Sequence, residues 1–248
     1  MKSVDASDEI KNYLYIYKIL SPIVKEVGEH NVVQIITDNG SAYKKAGLKL
    51  ARRYNLYWTP CAAHCIDLML EDVGKRATVA EVVKNCREIT KFIYNHGVVL
   101  SKMREEGQGE LIRPGPTRFA TNYLALTSLK SSRPGLKKMF TSDWWDRCSF
   151  RQTAVGQFVE SKILDNNFWL HIDSVCKVFE PMYSALRLVD TEVVLTMGLL
   201  YHVFDLMKKK LESIPNKQWV VDIAVQRWNR QLDHPLHQAG ITHFTYSL

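Results

Sequence analysis

Asn31-Val32-Val33-Gln34-Ile35-Ile36-Thr37-Asp38-Asn39-Gly40 is the stretch on which the reading of the fold turns. A β-branched apolar run of this length, closed by Asn-Gly, predicts a short strand buried on both faces and then a sharp turn. Such a strand belongs inside a parallel or mixed sheet. Upstream, Ile10, Leu14, Tyr17, Leu20 and Val24 recur at helical spacing, which predicts an amphipathic helix from Ile10 to Val27, bent at Pro22 and ended by Gly28. Downstream, Tyr43 to Tyr54 reads as a helix and Leu56-Tyr57-Trp58-Thr59 as a second strand. Helix, strand, helix, strand is the rhythm of an α/β layer, expected over about Asn31 to Val73.

Beyond this layer the periodicity turns helical. Pro60 stands where a helix can begin, and Cys61, Cys65, Leu68, Met69 and Val73 share one face of it up to Gly74. Val79 to Asn95 is a further helix with Gly97 as its stop. Gly107-Gln108-Gly109 and Arg113-Pro114-Gly115-Pro116 mark a long loop, the expected boundary between residues 1–112 and an all-helical part at 113–248. Helices are predicted there at Thr117 to Leu129, Phe150 to Val159, Asn167 to Val189 with a bend near Pro181, Glu192 to Ile214, and Gln218 to Leu232. The fold class is therefore α/β plus all-α.

The chain has 248 residues, of which 46% are hydrophobic and 24% charged, enough for one large core or two modest ones. No apolar run approaches the ~20 residues that span a bilayer, and no signal peptide opens the sequence, so the expected address is nucleus or cytoplasm with no membrane partner. Cys61, Cys65, Cys86, Cys148 and Cys176 are odd in number and not spaced as a disulfide framework. The formal net charge of +7 favours a polyanionic partner, although the basic residues lie scattered, as in Arg52-Arg53, Lys137-Lys138 and Lys208-Lys209-Lys210.

Chemistry can reside in few places. Asp38 ends the buried strand and precedes Asn39-Gly40-Ser41 and a helix, a position where a carboxylate either holds a divalent metal or caps the turn. Cys61-Ala62-Ala63-His64-Cys65 brings Cys61, His64 and Cys65 onto adjoining surfaces of one helical turn. Zinc normally takes four ligands and no second pair is visible, so packed thiols and a hydrogen-bonded histidine are expected. Thr117-Arg118-Phe119 sets a guanidinium beside a ring, which can clamp a phosphate and stack on a base; alternatively Phe119 and Tyr123 are core residues. Trp144-Trp145 and Phe168-Trp169 are stacking platforms or, as aromatic pairs in helical proteins usually are, core.

In this order, Thr37-Asp38-Asn39-Gly40-Ser41, Trp58-Thr59-Pro60-Cys61-Ala62-Ala63-His64-Cys65-Ile66-Asp67-Leu68 and Thr117-Arg118-Phe119 resemble the hAT superfamily of transposases, closest to plant hAT-like proteins whose core includes a domain of unknown function. Arg187-Leu188-Val189-Asp190, Arg227-Trp228 and Pro235-Leu236-His237-Gln238-Ala239-Gly240 also resemble segments of those proteins. The resemblance implies an RNase H-like fold with a metal-binding acidic triad and an all-α insertion between the second and third acids. It matches Asp38 to the second acid, and Cys61 and His64 to a Cys-x-x-His feature near the active site. Arg118 and Phe119 match an Arg-Trp pair that handles a flipped base, with Phe119 in place of the tryptophan. The first and third acids have no match here: Asp5, Asp8 and Glu9 lie in no strand like the family's.

The resulting expectation is a degenerate or domesticated transposase-derived fragment, not an enzyme, without a cofactor because magnesium needs an intact acidic site. DNA binding is expected to be weak and sequence-independent, since the family's zinc finger and its dimerisation segment have no counterpart here; oligomerisation through that segment is not expected. Two alternatives from other classes are an active metal-dependent transposase or nuclease core, and a helical protein-interaction module.

Overall fold

The computed structural model describes residues 5, 7, 9–106, 109–113, 115, 119–190 and 197–234. Its first helix, α1, spans Tyr13–Val27 with Pro22 inside it. It starts later than the apolar periodicity predicts because the Asn12 side-chain oxygen accepts from Leu14 N and Tyr15 N, both at 3.0 Å, and so sets the N-terminus. Gly28, at φ 96°, ends it as expected and donates to the Lys25 carbonyl. A side chain rarely adopts that backbone conformation.

Strand β1 (Gln34–Thr37), helix α2 (Ser41–Tyr54) and strand β2 (Tyr57–Pro60) then form one βαβ unit. The strands are parallel, with Gln34 opposite Tyr57, Ile35 opposite Trp58, Ile36 opposite Thr59 and Thr37 opposite Pro60. Among the described residues this pair is the whole sheet. Helix α2 closes with Asn55 in the left-handed conformation, a cap that asparagine tolerates better than other non-glycine residues. Val24, Leu50, Tyr54 and Leu56 form a buried core, and Ile35 packs against it. A hydrogen bond between Ser21 and Tyr54 hydroxyls ties α1 to α2.

Two expectations about the strands need correction. β1 is not buried on both faces: Ile36 is 57% exposed. Successive side chains alternate between faces, so with Ile35 turned to the helical core Ile36 points away from it. Pro60 does not begin a helix either; it is the last, buried residue of β2. Tyr57 N donates to Val33 O and Cys61 N to Thr37 O at 2.8 Å, so Pro60 occupies a position between ladder donors where its missing N–H costs nothing.

By compactness the chain divides into one unit of Met1–Ile66, Leu186–Leu206 and Ala224–Leu248, and another of Asp67–Ala185 and Met207–Ile223. The remaining helices are α3 (Ala62–Gly74), α4 (Ala77–Asn95), α5 (Gly97–Glu105), α6 (Ala120–Ser131), α7 (Arg133–Phe140), α8 (Asp143–Asp146), α9 (Ala154–Leu164), α10 (Asn166–Val189, with Pro181 inside), α11 (Met197–Glu212) and α12 (Gln218–Arg227). Among the described residues every element from 119 onward is helical, and the described structure is mostly helical with one small parallel sheet.

In the second unit α4 packs against α5, α6 and α9, burying Ile89, Ile93, Met103, Leu126 and Ile163. Each large side chain so removed from water contributes roughly 1.5–3 kcal/mol. Gly97 starts α5 instead of ending α4, and the junction is His96, whose Nδ1 donates to Phe92 O at 2.7 Å while its ring lies between Phe92 and Phe150. The helix predicted from Phe150 begins at Ala154, because Ser149–Gln152 forms a 3₁₀ turn and the Thr153 hydroxyl caps α9 through Gly156 N. The helix predicted to reach Leu232 gives way at Trp228 to a π-helical turn, Trp228–Leu232, in which Trp228 stacks on Phe204 at 4.1 Å. Residues 191–196, where a helix start was predicted, lie outside the described residues.

Candidate functional site

Asp38 follows β1 directly, at the carboxyl end of a parallel strand, where α/β sheets place ligands. Its carboxylate is exposed and takes part in no hydrogen bond among the described residues. It does not cap the next helix: the N-cap of α2 is Gly40, with no side-chain hydrogen bond. The unused N–H groups of that first turn favour negative charge nearby. Thr37 holds the approach to Asp38 in place by donating from Oγ1 to the Asp38 carbonyl at 3.0 Å, while Trp58 Nε1 donates to Thr37 Oγ1 at 2.9 Å.

Beside this strand end lies a pocket of about 460 Å³. Ile36, Thr37 and Asp38 supply one wall, Lys11, Tyr15, Ile16 and Ile19 another, and Tyr43 stands at the start of α2. The pocket thus presents one carboxylate, one ammonium and two phenol rings over an apolar floor. That set suits a cationic or mixed-charge contact and stacking. Asp38 is the one acid lining the pocket, and among the described residues no group of three or more His, Cys, Asp or Glu side chains converges to hold a metal.

The sheet brings a second sequence motif to the same end. Cys61 N donates to Thr37 O at 2.8 Å, continuing the ladder past Pro60, and Cys65 N donates to Cys61 O as α3 begins. Cys61 and His64 are half-buried, whereas Cys65 is fully buried. Burial pushes the Cys65 thiol up to about 12, helped by Cys61 nearby and opposed by the Arg227 guanidinium, with Asp38 adding a smaller upward push. Cys65 is therefore an inert, protonated packing residue at neutral pH. The proximity of Asp38, Cys61, Cys65 and Arg227 that this implies joins residues distant in sequence.

The remaining candidates sit elsewhere. Arg118 lies outside the described residues. Phe119 is half-buried with its ring directly over Gly74, where a Cβ would come within 2.8 Å of its Cε1, so the ring packs on α3. Tyr123 leans on Tyr183 with ring centroids 4.8 Å apart. Trp145 is fully buried against Phe92 and Phe140, and Trp169 is buried with Nε1 donating to Ile163 O at 2.8 Å; Trp145, Phe168 and Trp169 are core, and Trp144 is half-buried. Lys11, Tyr15 and Tyr43 carried no sequence signal as site residues, because each sits where a solvated helix flank reads the same.

Residues 1–89, which include Asp38, Cys61 and His64, match the family model described as a domain of unknown function, DUF659. No curated protein matches the chain.

Proposed function

We propose that this chain derives from a hAT-type transposase, that it holds DNA weakly and without sequence preference, and that it does not itself cut DNA. The observation that carries the reading is Asp38 at the carboxyl end of β1 with Cys61-x-x-His64 opening the helix after β2, within the segment that matches DUF659, a domain associated with hAT-like plant transposases. A βαβ unit with an acid in that place fits one corner of an RNase H-like sheet. The helical remainder fits the all-α insertion of that family.

The proposed lack of cleavage rests on the donor set. Strand transfer by two metal ions needs several carboxylates converging on the attacking and leaving oxygens. Asp38 alone leaves a hydrated metal loosely placed, and a misplacement of about 1 Å can cost ~100-fold in rate. Weak DNA contact rests on the net charge of +7, spread over many short basic runs. The test is incubation of the purified chain and its Asp38→Ala variant with magnesium or manganese and terminal-repeat DNA, alongside a gel shift. Retarded but intact DNA with both proteins is the expected result. Cleavage by the parent that disappears in Asp38→Ala would overturn the proposal.

A further inference from the structure

In the second unit a pocket of about 350 Å³ opens between α4, the N-terminal half of α10 and the start of α12. Asn85 projects into it from α4. Only 9% of Asn85 is exposed, yet no hydrogen bond among the described residues occupies its amide. The amide is reached through the pocket and not sealed in the core, so its carbonyl and amino groups are open to a ligand that offers a complementary donor and acceptor. The pocket walls are mixed: Val82 and Val178 are buried, Phe168 is 3% exposed and Trp219 forms one side, while Thr78, His171 and Ser174 add polar groups. The Arg76 guanidinium lies 4.2 Å from the centre of the Trp219 ring and holds the indole in place.

We propose that this pocket binds a purine base of the adenine type. An asparagine amide sets a carbonyl acceptor beside an amino donor, which complements the N6 donor and N7 acceptor of adenine, while the same pair mismatches the O6 and N7 acceptors of guanine. Trp219, half-buried, supplies the aromatic surface on which a planar base stacks, with the edge of Phe168 behind it. The volume lies within the range of small-molecule sites. At the mouth, Lys162 and Lys217 are balanced by Glu81 and by Asp165, whose Oδ1 accepts from Asn167 N. The base, not the phosphate, therefore carries recognition. The inference is independent of any DNA contact elsewhere on the chain.

The experiment is calorimetric titration of the full chain with adenosine, adenosine 5′-monophosphate and guanosine 5′-monophosphate. Adenosine and its monophosphate are expected to bind within about threefold of each other, and the guanosine nucleotide about tenfold more weakly. Asn85→Leu, of similar volume, should lose about tenfold in affinity with an unchanged circular dichroism spectrum. Because Asn85 is buried, a second variant guards against misfolding: Ser174→Trp fills the pocket from its half-buried wall and should abolish binding. Competition by a short oligodeoxyadenylate assigns the base to a strand, and failure to compete assigns it to a free nucleotide. No binding of adenosine at ~5 mM, or equal binding by parent and both variants, would overturn the proposal.

Discussion

The indole of Trp58 occupies the space that a side chain on Gly47 would need, so that a Cβ at that position would overlap the ring atoms Cδ1, Nε1 and Cγ. One ring thereby sets the distance between α2 and β2 and, through its Nε1, positions Thr37 next to Asp38. Gly47→Ala is expected to destabilise the protein by about 1–3 kcal/mol, since a packed interior yields little to an added methyl. Trp58→Phe should cost about 1–2 kcal/mol through the lost hydrogen bond and the smaller ring. Urea unfolding measures both, and a Gly47→Ala midpoint equal to the parent's would contradict the close approach.

Helix α6 has no side-chain cap from its own flank, and the Asp67 carboxylate on α3 accepts from Ala120 N at 3.3 Å instead. Asp67→Ala should lower stability by about 1 kcal/mol, with Asp67→Asn recovering most of it because an amide oxygen also accepts. Thermal melts of the three proteins read this directly. Equal melting of Asp67→Ala and parent would show that the distant cap contributes nothing.

The thiols should separate by accessibility. Cys61 and Cys148 are half-buried, while Cys65, Cys86 and Cys176 are buried. Burial drives Cys65 and Cys86 up to about 12 from the ordinary 9.0. Iodoacetamide at pH 8 should therefore label Cys61 and Cys148 well before the other three, as followed by peptide mass spectrometry.

Alkaline stability depends on the same groups. Below pH 9 the native and unfolded states both hold the proton, and the contribution is constant. From about 9 toward about 12 the unfolded thiol ionises while the native one cannot, so stability falls as pH rises. The decline in urea midpoint between pH 8.5 and ~10.5 should be shallower in Cys65→Ala than in the parent.

For DNA, contact through scattered Lys and Arg side chains predicts an affinity that falls steeply between ~50 and ~200 mM salt and hardly varies with sequence. Fluorescence anisotropy with two unrelated duplexes tests this. A clear preference that persists at ~200 mM salt would point to base readout.

Sequence patterning carried most of the first unit. The β-branched run from Val32 to Thr37 and the Asn39-Gly40 turn are local signals, and they place β1, α2 and Asp38 correctly. What patterning could not give was the environment. Ile35 and Ile36 are alike in sequence, and only the position of the helical core makes one of them packed and the other exposed. Pro60 and Gly97 carry strong local preferences, yet ladder phase decides the first and the His96 junction the second. Thr153 was a legible cap that the longer apolar period of the following helix obscured. The pocket beside Asp38 needs Lys11 and Tyr43 from either side of the strand, a juxtaposition that no spacing along the chain encodes.

The first compact unit is assembled from three separate stretches of chain, the last beginning at Ala224. Trp228 and Phe204, which stack within it, emerge from the ribosome long after β1 and β2. Translation proceeds at ~5–20 residues per second, so the segment between Ile66 and Leu186 interposes a delay of roughly 6–24 s. During that interval the nascent βαβ segment has no access to its later stretches, and side chains that those stretches contact, such as Tyr57 against His234, are natural targets for chaperones. Synonymous codon changes that slow translation within 67–185 should therefore alter the yield of soluble protein, even though they leave every residue of the folded chain the same.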